Sequence, residues 1–168
     1  VHFLESAKYQ PIAQQVYELL AARIRVAIPD AQIEHIGSSA VDGLISKGDL
    51  DIFVGVFPQV FETSVQTLES LGFRVKEGSL RTESLCPFEA FGYSIDVGIQ
   101  LVALNSEFEF FLVFRDCLKS DLTLRQEYNK LKLESKALSP DEYRQRKSEF
   151  IELFLSGQPS GYRRQLKD

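Results

Sequence analysis

Between Tyr93 and Leu104 apolar and polar residues alternate, with Ile95, Val97, Ile99 and Leu101 on one side and Ser94, Asp96, Gly98 and Gln100 on the other. A period of two sustained over that length reads as a β-strand with one face buried. The chain must therefore build a sheet, and the polar face of this strand must meet either solvent or a site. On both sides of it the spacing changes to three and four. Ile12, Val16, Leu19, Leu20, Ile24 and Ala27 predict an amphipathic helix from Pro11 to about Ala27, ended by Pro29-Asp30. Strands are expected at Gln32–Ile36 and, rich in β-branched residues, at Asp49–Val56. Pro58 opens a second helix through Val60, Phe61, Val65, Leu68 and Leu71, with Gly72 as its cap, and Phe73–Lys76 is a short strand candidate. Residues 78–89 are mixed and polar and read as a loop. From Ser106 onward the texture is helical: Phe108 to Leu118, Leu122–Leu138 and Pro140–Leu155, the last opened by Ser139-Pro140-Asp141-Glu142. The tail from Gly157 is expected to fray. The reading is an α/β (α+β) fold, a mixed sheet flanked by helices. Residues 1–105 form the core and 106–168 a helical region packed on it as one structural unit.

Composition fits that outline and limits function. At 168 residues, with 44% hydrophobic and 26% charged residues, the chain can bury a core without disulfides. Cys86 and Cys117 match no metal-ligand spacing and are expected as reduced, buried or half-buried thiols, which makes a cytoplasmic setting the default. No apolar run reaches the roughly 18 residues of a membrane span, and no secretory signal is visible. The net charge of −5 disfavours duplex nucleic acid as a partner but leaves room for one nucleotide.

Three elements carry the chemistry. Asp49 and Asp51, two apart on a strand, share a face. At ~6.5 Å and an effective dielectric of ~20 they repel by roughly 2.5 kcal/mol. Mg²⁺ (or Mn²⁺) would relieve that repulsion, because it takes one or two carboxylates and completes its shell with water and phosphate oxygens. A solvated strand start is the plain alternative. Gly37-Ser38-Ser39 breaks the preceding strand. Ser39 with Asp42 fits a helix-capping pattern, while a glycine also admits a phosphate to the backbone. Asp96, on the polar face of its strand, is either exposed surface or a third carboxylate.

From Glu34-His35-Ile36-Gly37-Ser38-Ser39-Ala40-Val41-Asp42-Gly43-Leu44 through Lys47-Gly48-Asp49-Leu50-Asp51-Ile52 the chain resembles the GrpB family, a bacterial branch of the nucleotidyltransferase superfamily. Phe114-Arg115-Asp116-Cys117-Leu118, Tyr128-Asn129-Lys130-Leu131-Lys132, and Tyr143-Arg144 with Lys147 and Phe150-Ile151 fit too. The resemblance implies a nucleotidyltransferase-like core with a helical C-terminal region. It implies Gly37, Ser38, Ser39 and Lys47 as nucleotide contacts, and Asp49, Asp51 and Asp96 as metal-binding and catalytic acids. Arg115, Arg125 and Lys132 are further phosphate candidates, each also explicable as a solvated charge. His35 reads as a strand histidine bonded to a neighbour, and the Phe108–Phe114 cluster as core packing. Many members of the family replace the first acid, and this chain keeps both. Asp42 stands where many have proline, for which we have no physical account. The implied activity is metal-assisted transfer of a nucleoside monophosphate from a nucleoside triphosphate to an unknown small-molecule acceptor. The alternative is a silent nucleotide-binding or interaction module of the same fold. A glycosyltransferase or phosphoaspartate hydrolase is disfavoured by the Gly-Ser turn. Oligomeric state is not legible.

Overall fold

The computed structural model describes residues 2–157, so the expected fraying beyond Gly157 lies outside the described residues. Helix α1 (Ser6–Ala27) leads into strand β1 (Gln32–Ile36), a 3-10 turn at Ser38–Ala40 and strand β2 (Asp49–Val56). Helix α2 (Phe61–Ser70), strands β3 (Arg74–Val75), β4 (Leu85–Ala90) and β5 (Asp96–Ala103), and helices α3 (Phe110–Ser120), α4 (Leu122–Glu134) and α5 (Pro140–Ser156) follow. The sheet order is β1-β2-β5-β4-β3, with β2 and β5 parallel and the other neighbours antiparallel. It is a mixed α+β architecture.

Each strand segregates its two faces. Leu50, Ile52, Val54 and Val56 of β2 join Val97, Ile99, Leu101 and Ala103 of β5 and Cys86, Phe88 and Ala90 of β4. This face packs on Ala13, Val16, Leu20 and Ile24 of α1 and Phe61, Val65 and Leu68 of α2. On the opposite face the two halves of β2 differ. Phe53 lies in a second apolar cluster with Ile36, Leu85, Val102 and Phe108, whereas Asp49 and Asp51 occupy the half nearer the start of the strand. A third cluster joins Val41 and Leu44 of the loop between β1 and β2 to Phe114, Leu118 and Tyr128. That cluster seats the C-terminal helices beside the acids. Helix α5 begins at the expected start, and a capping box closes it, Ser139 and Glu142 bonding reciprocally.

Two expectations need correction. Helix α1 starts at Ser6, not at Pro11, which lies inside it. The earlier turn buries Tyr9 (2% exposed), whose hydroxyl donates to Leu44 O at 3.0 Å; that gain offsets the missing proline N–H. Residues 85–89, expected as loop, belong with Ala90 to β4, between β5 and β3. Pro87 hides it, since proline is excluded from most strand positions. Its carbonyl accepts from Lys76 N at 2.8 Å, so the Pro87 nitrogen faces the end of the very short β3, where no ladder donor is required. Both cysteines are thiols, Cys86 buried and Cys117 half-buried, with burial raising the pKa of each. Among the described residues no helix is long and apolar enough to cross a membrane.

Candidate metal and phosphate site

Strand β1 ends at Ile36, the register partner of Asp51, and the chain then turns at Gly37 with φ 74° and ψ −171°. Side chains rarely adopt that backbone. Space forbids one as well: a Cβ on Gly37 would lie 2.6 Å from Asp51 Oδ2. The glycine thus lets the backbone lie directly against the carboxylate.

The turn that follows is held by side chains from distant elements. Gln10 Nε2 donates to Ser38 O at 3.2 Å and to Val41 O at 2.7 Å. Asn129 of α4 accepts from Ile45 N at 3.0 Å and donates to Gly43 O at 2.8 Å. Ser39 Oγ lies 2.8 Å from His35 Nε2, and Gln14 Oε1 lies 3.2 Å from the other ring nitrogen. The Ser39–Asp42 helix cap expected from sequence is therefore not formed, because the hydroxyl is turned back to β1 and Ser39 lies inside a 3-10 turn with no helix after it. The expected histidine–neighbour bond is present.

His35 also stacks on Tyr17, ring centroids 4.9 Å apart, and burial, then Lys119 and Arg115, lower its pKa to about 4. A base held neutral in this way favours the fold fully above pH 6.5, and that contribution is lost as pH falls through 4. We expect wild type to lose about 1–2 kcal/mol relative to His35→Gln between pH 6.5 and pH 4, after discounting for partial exposure. Urea unfolding of both proteins at the two pH values checks this; parallel profiles would remove the assignment.

Asp49 and Asp51 share the sheet face. Asp49 Oδ1 accepts from Ser46 Oγ at 2.8 Å. Burial works to raise its pKa, but Lys147, the Ser46 bond and Lys47 outweigh it and hold Asp49 below the usual carboxylate value. For Asp51, burial and then the neighbouring Asp49 prevail over Lys147, Lys47 and Lys76 and push it up to about 6. The two neighbouring carboxylates are thus shifted in opposite directions, as close, coupled acids are.

Asp96 is the register partner of Asp49, and Gly98 that of Asp51. All three acids border one hollow of about 290 Å³, together with Lys47, Lys76, Glu89 and Gly98. Asp96 is exposed at the first residue of β5, however, and among the described residues no three His, Cys, Asp or Glu side chains are gathered closely enough to hold an ion. Of the three acids expected from sequence, Asp49 and Asp51 form a pair on β2 and Asp96 stands at the edge of the same hollow.

A second hollow, about 510 Å³, meets the first at Lys47, Asp49, Asp51 and Lys76, and adds Tyr143, Arg144 and Lys147. A third, about 140 Å³, runs from Gly37, Ser38 and Asp51 to Phe110, Phe111, Phe114 and Lys147. The phenylalanines expected as core packing do join the apolar clusters, while also forming this wall.

The expected cations separate. Lys47 lines the cleft beside the acids. Arg115 is paired with Glu34 at 2.8 Å and Asp116 at 2.9 Å, and donates to His35 O at 3.1 Å, though it borders the smallest hollow. Arg125 donates to Leu118 O and Lys119 O, both at 2.8 Å, closing the end of α3 away from the acids. Lys132, only 1% exposed, donates to Ser38 Oγ at 2.5 Å and to Ile45 O at 2.6 Å, with its ammonium 4.3 Å from the Tyr128 ring centre. Sequence reasoning missed Lys76 and Lys147 as site residues. Tyr128, then Tyr143, Asp51 and Asp49, hold the Lys147 pKa above its ordinary value against the effect of burial. Its only sequence signal was its place in the stretch after Tyr143.

The donor set fits one hard divalent cation: two carboxylates on one face, open space, and cations alongside for phosphate oxygens. A sequence model described as GrpB protein matches residues 4–156. A UPF0157 protein of Vibrio cholerae is 44% identical over 155 residues, covering 92% of this chain and 82% of that protein. The crystal structure of conserved protein GrpB from Enterococcus faecalis superposes with a TM-score of 0.69 at 20% identity, covering 91% of this chain and 99% of that one. The Cid1 poly(U) polymerase, solved with MgGTP bound, superposes with a TM-score of 0.52 at 18% identity over 77% of this chain and 43% of that one. These likenesses establish a nucleotidyltransferase-like fold.

Proposed function

Since the chain belongs to the GrpB family, we propose that it binds a nucleoside triphosphate with Mg²⁺ and transfers the nucleoside monophosphate to a small acceptor. One observation carries this reading: the Asp49–Asp51 pair lies against the Gly37 turn in a cleft bordered by Lys47, Lys76 and Lys147. Asp49 and Asp51 would hold Mg²⁺. Bound there, it would neutralise phosphate charge and polarise the phosphoryl oxygens. The Ser38 hydroxyl and the turn beside it receive phosphate oxygens, and Lys47 and Lys147 screen the triphosphate as it docks against two acids. Asp96, exposed at the rim, accepts the acceptor's proton. A new acceptor oxygen–phosphorus bond forms at the α-phosphate, the bond to the bridging oxygen breaks, and pyrophosphate leaves.

Isothermal titration with each of the four nucleoside triphosphates tests binding. With Mg²⁺ at least one is expected to bind with Kd in the range of about 1 µM to 1 mM, typical of substrates. Without Mg²⁺ affinity should fall at least tenfold. No heat with any triphosphate would end the proposal. A second reading, a binding module without turnover, draws support from the exposed position of Asp96 and the lack of a closed three-acid cluster among the described residues. It gives triphosphate binding without pyrophosphate release across varied acceptors, whereas the enzyme releases it with at least one.

A further inference from the structure

Lys132 is a buried charge that the transfer chemistry above does not use. Its ammonium lies 2.5 Å from Ser38 Oγ and 2.6 Å from Ile45 O, and its ring neighbour is Tyr128. Because Lys132 and Ser38 are 94 residues apart in sequence, this bond forms only once the C-terminal helices have docked. Burial and then Lys147 lower the Lys132 pKa to about 7; below that pH the side chain is an ammonium, with donors and no acceptor, and the Ser38 oxygen accepts in this bond. A hydroxyl that accepts from an ammonium keeps its own hydrogen for another partner. Ser38 faces the hollow it shares with Asp51 and Lys147, and its carbonyl is already held by Gln10. With the ammonium occupying one lone pair, the hydroxyl hydrogen is left for the hollow, where an anion would compete for it with Tyr128. An ionised donor also polarises the hydroxyl and strengthens the bond it gives in turn.

We propose that Lys132 is a positioning residue: it fixes the Ser38 hydroxyl as a hydrogen-bond donor to a phosphate oxygen of the bound triphosphate, and does not itself contact that phosphate. This rests on the nucleotide-binding reading above. It differs from a direct contact because both observed Lys132 bonds are made to protein oxygens, on a side chain only 1% exposed. The neighbouring cations that face the cleft, Lys47, Lys76 and Lys147, remain for the phosphates.

The test is a double-mutant cycle on Mg²⁺–triphosphate affinity, read by titration calorimetry on the full chain, with wild type, Ser38→Ala, Lys132→Met and the double variant. Methionine keeps the length and apolar stem of lysine. Ser38→Ala and Lys132→Met should each weaken binding about tenfold, the usual scale for a hydrogen bond to a charged group. The double variant should be no weaker than Ser38→Ala, since Lys132 acts through that hydroxyl. Ser38→Thr, which restores a hydroxyl, should recover affinity to within about threefold of wild type. A Lys132→Met loss that persists undiminished in the Ser38→Ala background would overturn the proposal in favour of direct contact or collapse of the turn. If Lys132→Met does not fold, the serine series still decides: Ser38→Ala binding as tightly as wild type, or Ser38→Thr failing to rescue it, would sink the idea. Failure of wild type to bind any triphosphate is a separate result, which defeats the nucleotide-binding reading itself.

Discussion

Replacing Asp51 with asparagine is expected to abolish Mg²⁺-dependent triphosphate binding, by at least a hundredfold, while leaving the unliganded protein more stable than wild type at pH 7.5. Asparagine keeps the shape of the side chain and removes its charge. In wild type, burial and then Asp49 raise the Asp51 pKa from 3.8 to about 6. A carboxyl whose folded pKa is raised stabilises the fold fully below pH 3.8, and this contribution is lost as pH rises through 6. A rise of that size corresponds to about 3 kcal/mol, an upper bound for a pair that titrates together. Asp51→Asn should therefore gain up to about 3 kcal/mol over wild type at pH 7.5, and the gap should close toward pH 4. Mg²⁺ should stabilise wild type and leave the variant unmoved, because a ligand that binds only the native state raises its melting temperature. Thermal unfolding at three pH values, with and without Mg²⁺, reads all of this. An Asp51→Asn protein less stable than wild type at pH 7.5 without metal would identify Asp51 as a structural ion-pair partner instead.

Gly37→Ala should have the next largest effect, destabilising the chain by about 2–4 kcal/mol and removing triphosphate binding. Two costs combine. The backbone at φ 74° and ψ −171° costs a side-chain-bearing residue about 1–3 kcal/mol, and the new Cβ at 2.6 Å from Asp51 Oδ2 must displace either the turn or the carboxylate. Gly43 supplies the control. It too has positive φ, 84°, but nothing lies within 4 Å of a Cβ placed there. Gly43→Ala should show backbone strain alone, about 1 kcal/mol, with binding kept. In an Asp51→Ala background, where the obstructing oxygen is gone, the Gly37→Ala cost should fall toward the Gly43→Ala value, the non-additivity expected of residues in contact. Urea unfolding of the series measures these differences; equal costs for Gly37→Ala with and without the Asp51 carboxylate would refute the close-approach argument.

Much of this arrangement is legible in sequence where the signal is local. Strand β2 has its expected boundaries because its apolar face alternates cleanly, and that alternation also puts Asp49 and Asp51 on one side. Strand β5 is legible for the same reason, although the ordered ladder begins at Asp96 and not at Tyr93. Strand β4 escapes because its buried residues run as Leu85-Cys86-Pro87-Phe88, without alternation and with a proline that only an edge-facing nitrogen makes acceptable. The Ser39 side chain suggests a helix start because capping patterns are short and common, while its real partner, His35, lies behind it on β1.

Local order along the chain set the strands with clean alternation, the Gly37 bend and the pair of acids, since periodicity and backbone preference act between near neighbours. Tertiary structure alone decided that Lys132 and Lys147, carried on two late helices, come back to the Ser38 turn and the acids. It also decided that Asp96 stays at the rim. Those outcomes depend on how helices seat against a sheet face, and charges brought together by docking leave no periodic trace in the chain.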